Sequence, residues 1–261
     1  MGTKAIDPQS IRDITLLGDP AGTTRVAHRL LQHSTRPVSA TTLHWTTNGI
    51  DHTIRLTELS TDTPIAELQR HIRVANGVIA VIDAAGPLAP RLETMLRVAD
   101  DHQVARLCLI TNLDHPAANF DRCIRAIAAT RGATPLPLQF PFSTGTAYEG
   151  IIDLLSTWSL LPIAAETYGS HWKTAQQWYD ALATAVTEQD ASHPRTPSAA
   201  TDGPSDHLHR RIRSLTRIGD IIPILCSATP PAAGTPALLN AIVRYLPSPL
   251  DVCQPEHALD Y

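Results

Sequence analysis

"GVIAVIDAAGPLAPRLETMLRVADDHQVARLCLITNLD", residues 77–114, decides the fold of this chain. Its flanks, "VIAVIDA" (78–84) and "LCLI" (107–110), are continuous apolar runs, and between them "RLETMLRVADDH" repeats its apolar residues at helical spacing. A strand that is apolar on both sides must be covered on both faces, as a central strand of a parallel sheet is. The helix between two such strands is the crossover that parallel pairing requires.

The same alternation extends in both directions. Upstream, "DITLLG" (13–18) precedes "TTRVAHRLLQ" (23–32), and "TIRLTEL" (53–59) precedes "IAELQRHIRVA" (65–75). Downstream come the helical "FDRCIRAIAATRG" (120–132), then "PLPLQFPFSTG" (135–145) and "YEGIIDLLSTWSLL" (148–161), which read as a small strand-rich excursion. A helix follows over 171–189, and Trp172, Trp178 and Tyr179 read as residues packed against the domain. "DASHPRTPSAATDGPSD" (190–206) is nearly devoid of apolar side chains and cannot offset the entropy of ordering, so it reads as a flexible loop. A helix "HLHRRIRSLTR" (207–217), a strand "IIPILCSA" (221–228) and a helix "TPALLNAIVRYL" (235–246) complete the pattern. In the first of these, His207 and His209 lack the i, i+4 spacing of a helical metal pair and read as part of a solvated basic face. The expectation is an α/β fold: one doubly wound, mostly parallel sheet over 11–132 and 221–246, a small subdomain inserted at about 133–220, and tails at 1–10 and 253–261.

Composition narrows the class. A chain of 261 residues with 43% hydrophobic and 18% charged residues has the make-up of an ordinary soluble globular protein. The net charge of −4 gives no overall pull toward nucleic acid, so free DNA binding is not expected. The four cysteines, Cys108, Cys123, Cys226 and Cys253, include no C-x-x-C pair and read as reduced thiols. The start "MGTKAIDPQS" is not a signal peptide, no apolar run is long enough to span a membrane, and a cytoplasmic protein is expected.

"LLGDPAGTTR" (16–25), at a strand-to-helix junction, is close to a phosphate-binding loop. That loop reads G-x-x-x-x-G-K-S/T, because glycines let amides face the phosphates, the lysine neutralises them and the hydroxyl holds magnesium. Here Gly22 and Thr24 match, Thr23 replaces the lysine, and Leu17 replaces the first glycine, with Gly18 one residue late. Alone, this stretch reads as a plain strand-to-helix turn.

Longer stretches carry more information. Residues 71–120, "RGATPLPLQFPFSTGTAYEGIIDLL" (131–155) and "IIPILCSATPPAAGTPALLNAIVRYLPSPLDV" (221–252) occur in the order found in the GTP-binding domain of bacterial elongation factor G. The chain resembles that domain of the translational GTPase family from about Ile11 to Val252. The resemblance implies a P-loop GTPase-like sheet and, as cofactor, GTP or GDP with magnesium. It assigns Asp19, Pro20, Ala21, Gly22, Thr23 and Thr24 to the phosphate loop, with Thr24 the metal ligand. Thr111, Asn112 and Asp114 take the fourth motif, Asp114 being the acceptor for the guanine edge, and Ser227 with Ala228 takes the fifth.

Elsewhere the pattern is broken. The family's Asp-Thr-Pro-Gly-His falls, without gaps, on Thr57, Glu58, Leu59, Ser60 and Thr61; the "DTP" at Asp62, Thr63 and Pro64 aligns only with a deletion. Both placements lose the water-positioning histidine. The long switch segment shrinks to "QHSTRPV" (32–38), where Thr35 is the one candidate for the threonine that closes over magnesium. Phosphoryl transfer depends on positioning and charge compensation, so these losses imply no catalytic residue and no competent hydrolysis. Elongation factor G continues beyond "LPSPLDV", whereas this sequence reaches Tyr261 nine residues after Val252. The expectation is a stand-alone pseudo-GTPase that touches the ribosome or another protein, with weak or no guanine-nucleotide binding. The alternative is a working GTPase on the ribosome in elongation or recycling.

Overall fold

A computed structural model describes residues 7–36, 39–130, 134–155, 169, 172–191, 204–227 and 234–252. The apolar runs at 78–84 and 107–110 become β4 (Gly77–Asp83) and β5 (Ala105–Thr111), neighbours in register from Gly77–Ala105 to Asp83–Thr111. Val78–Ile82 and Ala105–Ile110 are buried without interruption, as strands covered on both faces must be. Around them lie β1 (Ile11–Gly18), β2 (Thr42–Thr47), β3 (Ile50–Ser60), β6 (Thr134–Pro137) and β9 (Ile221–Cys226), in the order β2-β3-β1-β4-β5-β9-β6. Every pairing is parallel except β2 with β3. β9 lies inside the main sheet beside β5, as the reading of residues 221–228 requires.

The helices are α1 (Pro20–Gln32), α2 (Ile65–Val74), α3 (Pro90–Asp101), α4 (Phe120–Ala129), α5 (Trp172–Ala191), α6 (Pro204–Ile218) and α7 (Gly234–Tyr245). α2 turns Leu68 and Ile72 into the core, and α3 turns Leu92, Met95, Leu96 and Ala99 inward, the spacing of one helical face. α7 docks through Arg12 of β1, whose guanidinium donates to the carbonyls of Val243 (3.1 Å) and Leu246 (3.0 Å) at the helix C-terminus. A cation there meets the negative end of the helix dipole.

The sheet departs from expectation at two places. Residues 134–137, expected to belong to the insertion, form its edge strand β6 beside β9. Their two prolines, Pro135 and Pro137, are tolerated because an edge strand pairs on one side only. Upstream of β3 the chain adds β2 through a hairpin whose turn is Asn48-Gly49 (φ 51° and 74°). Both torsions are the positive ones of a two-residue type I′ turn. The Asn-Gly pair was the sequence signal for that hairpin, and the strand-helix alternation passed over it.

Beyond Pro137 the chain leaves the main sheet for a two-stranded one, β7 (Gln139–Pro141) with β8 (Ile151–Asp153). α5 covers it: the Trp178 ring stacks on Phe140 at 5.9 Å and meets Phe120 edge-on at 6.2 Å. α5 reaches Ala191 and α6 starts at Pro204, so both ends of the segment read as a loop over 190–206 are helical. Residues 192–203 lie outside the described residues, as do 1–6 and 253–261. Of the expected N-terminal tail, Pro8–Ser10 form a 3-10 turn capped by Asp7. Cys108, Cys123 and Cys226 are buried free thiols, and burial pushes Cys108 up to about 12. No helix among the described residues is long and apolar enough to cross a membrane.

His209 of α6, read from sequence as part of a solvated basic face, is half-buried and bonds the Tyr245 hydroxyl at 2.7 Å and Arg244 at 2.9 Å. Burial first, then the Arg244 charge, lowers its pKa to about 4. An unfolded chain protonates its histidine near 6.5, so this contribution to stability is complete above that pH and is lost as pH falls toward 4. The melting temperature is expected to drop over that window, and less steeply in His209→Gln; parallel curves for the two proteins in a thermal scan against pH would assign the acid limb elsewhere.

Candidate functional site

In an open parallel sheet, ligands bind outside the carboxyl ends of the strands where the strand order reverses. Here that point is β1, with β3 on one side and β4 on the other. The fold gathers several of the sequence-assigned residues at this crevice: Asp19 and Gly22 from the start of α1, and Thr111 and Asn112 from the end of β5. They line one cavity with Asp83, Arg25 and Arg29, and its volume is about 80 Å³. Ligand pockets usually hold about 300–1,000 Å³.

The local geometry explains the small volume. β1 ends at Gly18 and α1 begins at Pro20, leaving one residue between them. At Gly18 a Cβ would lie 2.9 Å from the Val81 carbonyl oxygen, so glycine is required for this close approach to β4. Asp19 is the N-cap of α1, and its Oδ2 accepts the Gly22 N–H at 3.1 Å. The Thr23 N–H donates to the Asp19 carbonyl at 2.9 Å as a helical bond, and Pro20 has no N–H. Amides that a phosphate loop turns toward its ligand are here used inside the helix, and Asp19 puts a carboxylate at the end favoured by anions.

Thr23 is 1% exposed, and its hydroxyl donates to the carbonyls of Asp19 (3.2 Å) and Pro20 (3.1 Å). The lysine position therefore faces the interior. Ala21 is exposed, and exposed Thr24 donates its hydroxyl to Glu58 Oε2 at 2.9 Å. Glu58, in the second third-motif position of the gapless count, thus reaches the threonine that the resemblance gives to magnesium. No group of three or more metal-binding side chains occurs among the described residues.

On the base side, Thr111 donates its hydroxyl to the Ile82 carbonyl at 3.2 Å, and Asn112 turns the chain out of β5 at φ 56°. Asp114 is half-buried and has no hydrogen-bond partner among the described residues. Its charge partly offsets the burial and the Arg25 repulsion that lower the Arg29 pKa. Arg29 also lies beside the fifth motif, lining a small void of about 10 Å³ with Ser227 and Thr235. Ser227 is 8% exposed, and its N–H donates to the Ile110 carbonyl at 2.8 Å. Ala228 lies outside the described residues.

The candidate switch residues are tied elsewhere. Thr35 bonds His44 through its N–H (2.8 Å) and hydroxyl (3.1 Å). His44 pairs with Thr53, and Thr53 with Ile11, the first residue of β1. A strand rises about 3.3 Å per residue, which puts this level roughly 20 Å from the Gly18 end. Thr35 therefore does not take the place that the shortened switch segment suggested. Thr57–Ser60 lie within β3, while Arg91 of α3 donates to the Thr61 carbonyl at 3.2 Å and ties the following turn to α3.

The comparisons with known proteins agree with this architecture. The family model for the elongation factor Tu GTP binding domain matches residues 61–248. The chain belongs to this family. Elongation factor G of Wolbachia pipientis subsp. Culex pipiens (strain wPip) is 34% identical over 229 residues, 82% of this chain and 32% of that protein. The chain thus spans about a third of that relative's length. A crystal structure of a Thermus thermophilus protein superposes with a TM-score of 0.69 over 93% of this chain and 41% of the other, at 16% identity. The chain is thus a translational GTPase G domain, and its first motif lies upstream of the segment that the family model matches.

For this G domain the family implies a guanine nucleotide with magnesium. The described residues do not reproduce the cradle: Gly22 and Thr23 amides are engaged, the lysine position is buried, and the cavity holds about 80 Å³. Sequence reasoning placed Glu58 only in the third motif and did not single out Asp83, Arg25 or Arg29, which line this crevice. For the two arginines a signal existed, since residues four apart share one helix face.

Proposed function

We propose that this domain is a pseudo-GTPase: a G domain that serves as a binding module in the cytoplasm, with weak or no guanine-nucleotide binding and no turnover of its own. The observation that carries this reading is the Asp19 carboxylate on the Gly22 amide at the start of α1. It occupies with a negative charge the donor that a phosphate would need, and α1 starts too early to leave a loop around one. Burial of Thr23 and the shift of Thr35 toward the far end of the sheet support the same reading. The proposed partner is the ribosome, with another protein as the alternative.

Titration of GDP, GTP and ATP into the protein tests this directly. No saturation is expected below about millimolar nucleotide, where the binding free energy is only about −4 kcal/mol. Micromolar GDP binding, or phosphate release stimulated by ribosomes, would overturn the proposal. A second reading, a working GTP-binding protein acting in elongation or ribosome recycling, is favoured by one observation: Asp114 is only half-buried and has no hydrogen-bond partner among the described residues, as suits a guanine acceptor. Under that reading GDP binds in preference to ATP, and Asp114→Ala abolishes the preference. Sedimentation with ribosomes in the presence and absence of nucleotide separates the two, since the pseudo-GTPase binds equally in both.

A further inference from the structure

At the opposite end of the sheet from α1's first turn, a cavity of about 400 Å³ opens between the start of β1, the β2–β3 hairpin and the C-terminal end of α7. Three guanidinium groups line it, from Arg12, Arg213 and Arg244, against two carboxylates, Asp7 and Asp251. Both carboxylates are engaged by the chain. Asp7 accepts the Gln9 N–H at 3.0 Å, and one oxygen of Asp251 accepts from Ser248 N–H (2.9 Å), Ser248 hydroxyl (2.9 Å) and Arg213 (3.0 Å).

The arginines differ in what holds them. Arg12 is 2% exposed and its hydrogen bonds run to backbone carbonyls, those of Gln9, Ile11, Val243 and Leu246. Burial and the Arg213 charge lower its pKa to about 10, and Asp251 only partly offsets them. Arg244 is exposed and bonds neutral His209. The wall carries an excess of positive charge that none of its carboxylates neutralises in full.

His52 supplies a second, independent observation. It lines the same cavity, is 6% exposed, and its Nδ1 has no hydrogen-bond partner among the described residues. Leaving a buried polar nitrogen unbonded is unfavourable, so a ligand that draws the His52 ring toward the cavity would relieve that cost. The charged groups around it are Arg12 on β1, Asp51 beside it on β3, Asp7, Arg213 on α6, Arg244 at the end of α7 and Asp251 in the turn beyond it. Burial and Arg12 hold its pKa below the usual value, and Asp51 opposes them.

We infer that this cavity is a binding site for a small phosphate monoester, its dianionic head received by His52 and the guanidinium wall. The volume is of the size that takes a sugar phosphate, within the range of about 300–1,000 Å³ usual for ligand pockets. A dianion brought against the His52 ring favours the imidazolium, which neutralises part of the added charge. This site is independent of the crevice at α1, and its existence does not rest on the pseudo-GTPase reading.

The test is a nuclear magnetic resonance titration of the histidine rings of the whole chain with inorganic phosphate and with ribose 5-phosphate, using chloride at equal ionic strength as the control. Both phosphates are expected to saturate, to move the His52 ring resonances and to raise its titration midpoint. Arg244→Ser, an exposed substitution, is expected to weaken binding about tenfold, as for loss of a charge-assisted hydrogen bond. His52→Phe should do the same, while the wild-type shifts stand even if that variant folds poorly. Absence of saturation, unchanged affinity in Arg244→Ser, or shifts centred on the Gly22 and Thr23 amides instead of His52 would each overturn the assignment.

Discussion

Thr23→Lys, which completes the phosphate-loop consensus on paper, is expected to lower the melting temperature by roughly 6–12 °C and to leave GDP binding no stronger. Thr23 is 1% exposed, and its hydroxyl donates into the first turn of α1. A lysine there must bury an ammonium without a partner or push its stem through a packed turn. Costs of this kind reach about 3 kcal/mol, and each kcal/mol moves the midpoint of a domain this size by about 2–4 °C. Under the pseudo-GTPase proposal, the early start of α1 behind Asp19, more than the missing charge, limits phosphate binding. Differential scanning calorimetry and titration with GDP on the same samples decide the matter. A variant that keeps the wild-type midpoint and binds GDP tightly would show that the first turn of α1 opens, and the pseudo-GTPase proposal would fail with it.

Arg106→Ala is expected to destabilise the domain by about 3–5 kcal/mol. Arg106 sits in central strand β5 at 1% exposure, with one nitrogen 2.6 Å from Asp100 and donating to the Gly219 carbonyl at 2.8 Å. Burial lowers its pKa, and the Asp100 charge, the largest opposing influence, raises it. Truncation would leave a cavity in the core, a carboxylate without its cation and the carbonyl at the end of α6 without its donor. Arg106→Met combined with Asp100→Asn should recover part of the loss, because replacing both members of a pair whose cation is buried is milder than removing that cation's partner or the cation alone. Urea denaturation of the single and double variants measures both effects; a single variant within about 1 kcal/mol of wild type would show that the pair carries no net stability.

Residues 77–114 state the sheet on their own, because a run buried on both faces has little freedom to be anything but a central parallel strand. The placement of β9 beside β5 was legible for the same reason, "IIPILC" being apolar throughout. The motif positions of the G domain could also be numbered from sequence, since order along the chain is all that numbering needs. Which way those residues face was not legible. Asp19 reads equally as a loop residue or an N-cap, and the choice depends on Gly18 closing onto Val81 one strand away. Thr35 lies shortly beyond the end of α1, which has already run back along β1 to the level of Ile11, and its bonds to His44 of β2 hold it there, roughly 20 Å from the site that the resemblance suggested. Arg12, Arg213 and Arg244 converge only because β1, α6 and α7 meet at one end of the sheet. Local composition and periodicity determine which segments become strands and helices, because those depend on neighbours a few residues apart. Whether an amide is left for a phosphate, or a histidine nitrogen is left without a partner, depends on contacts between residues far apart in the chain, and only the packed fold decides it.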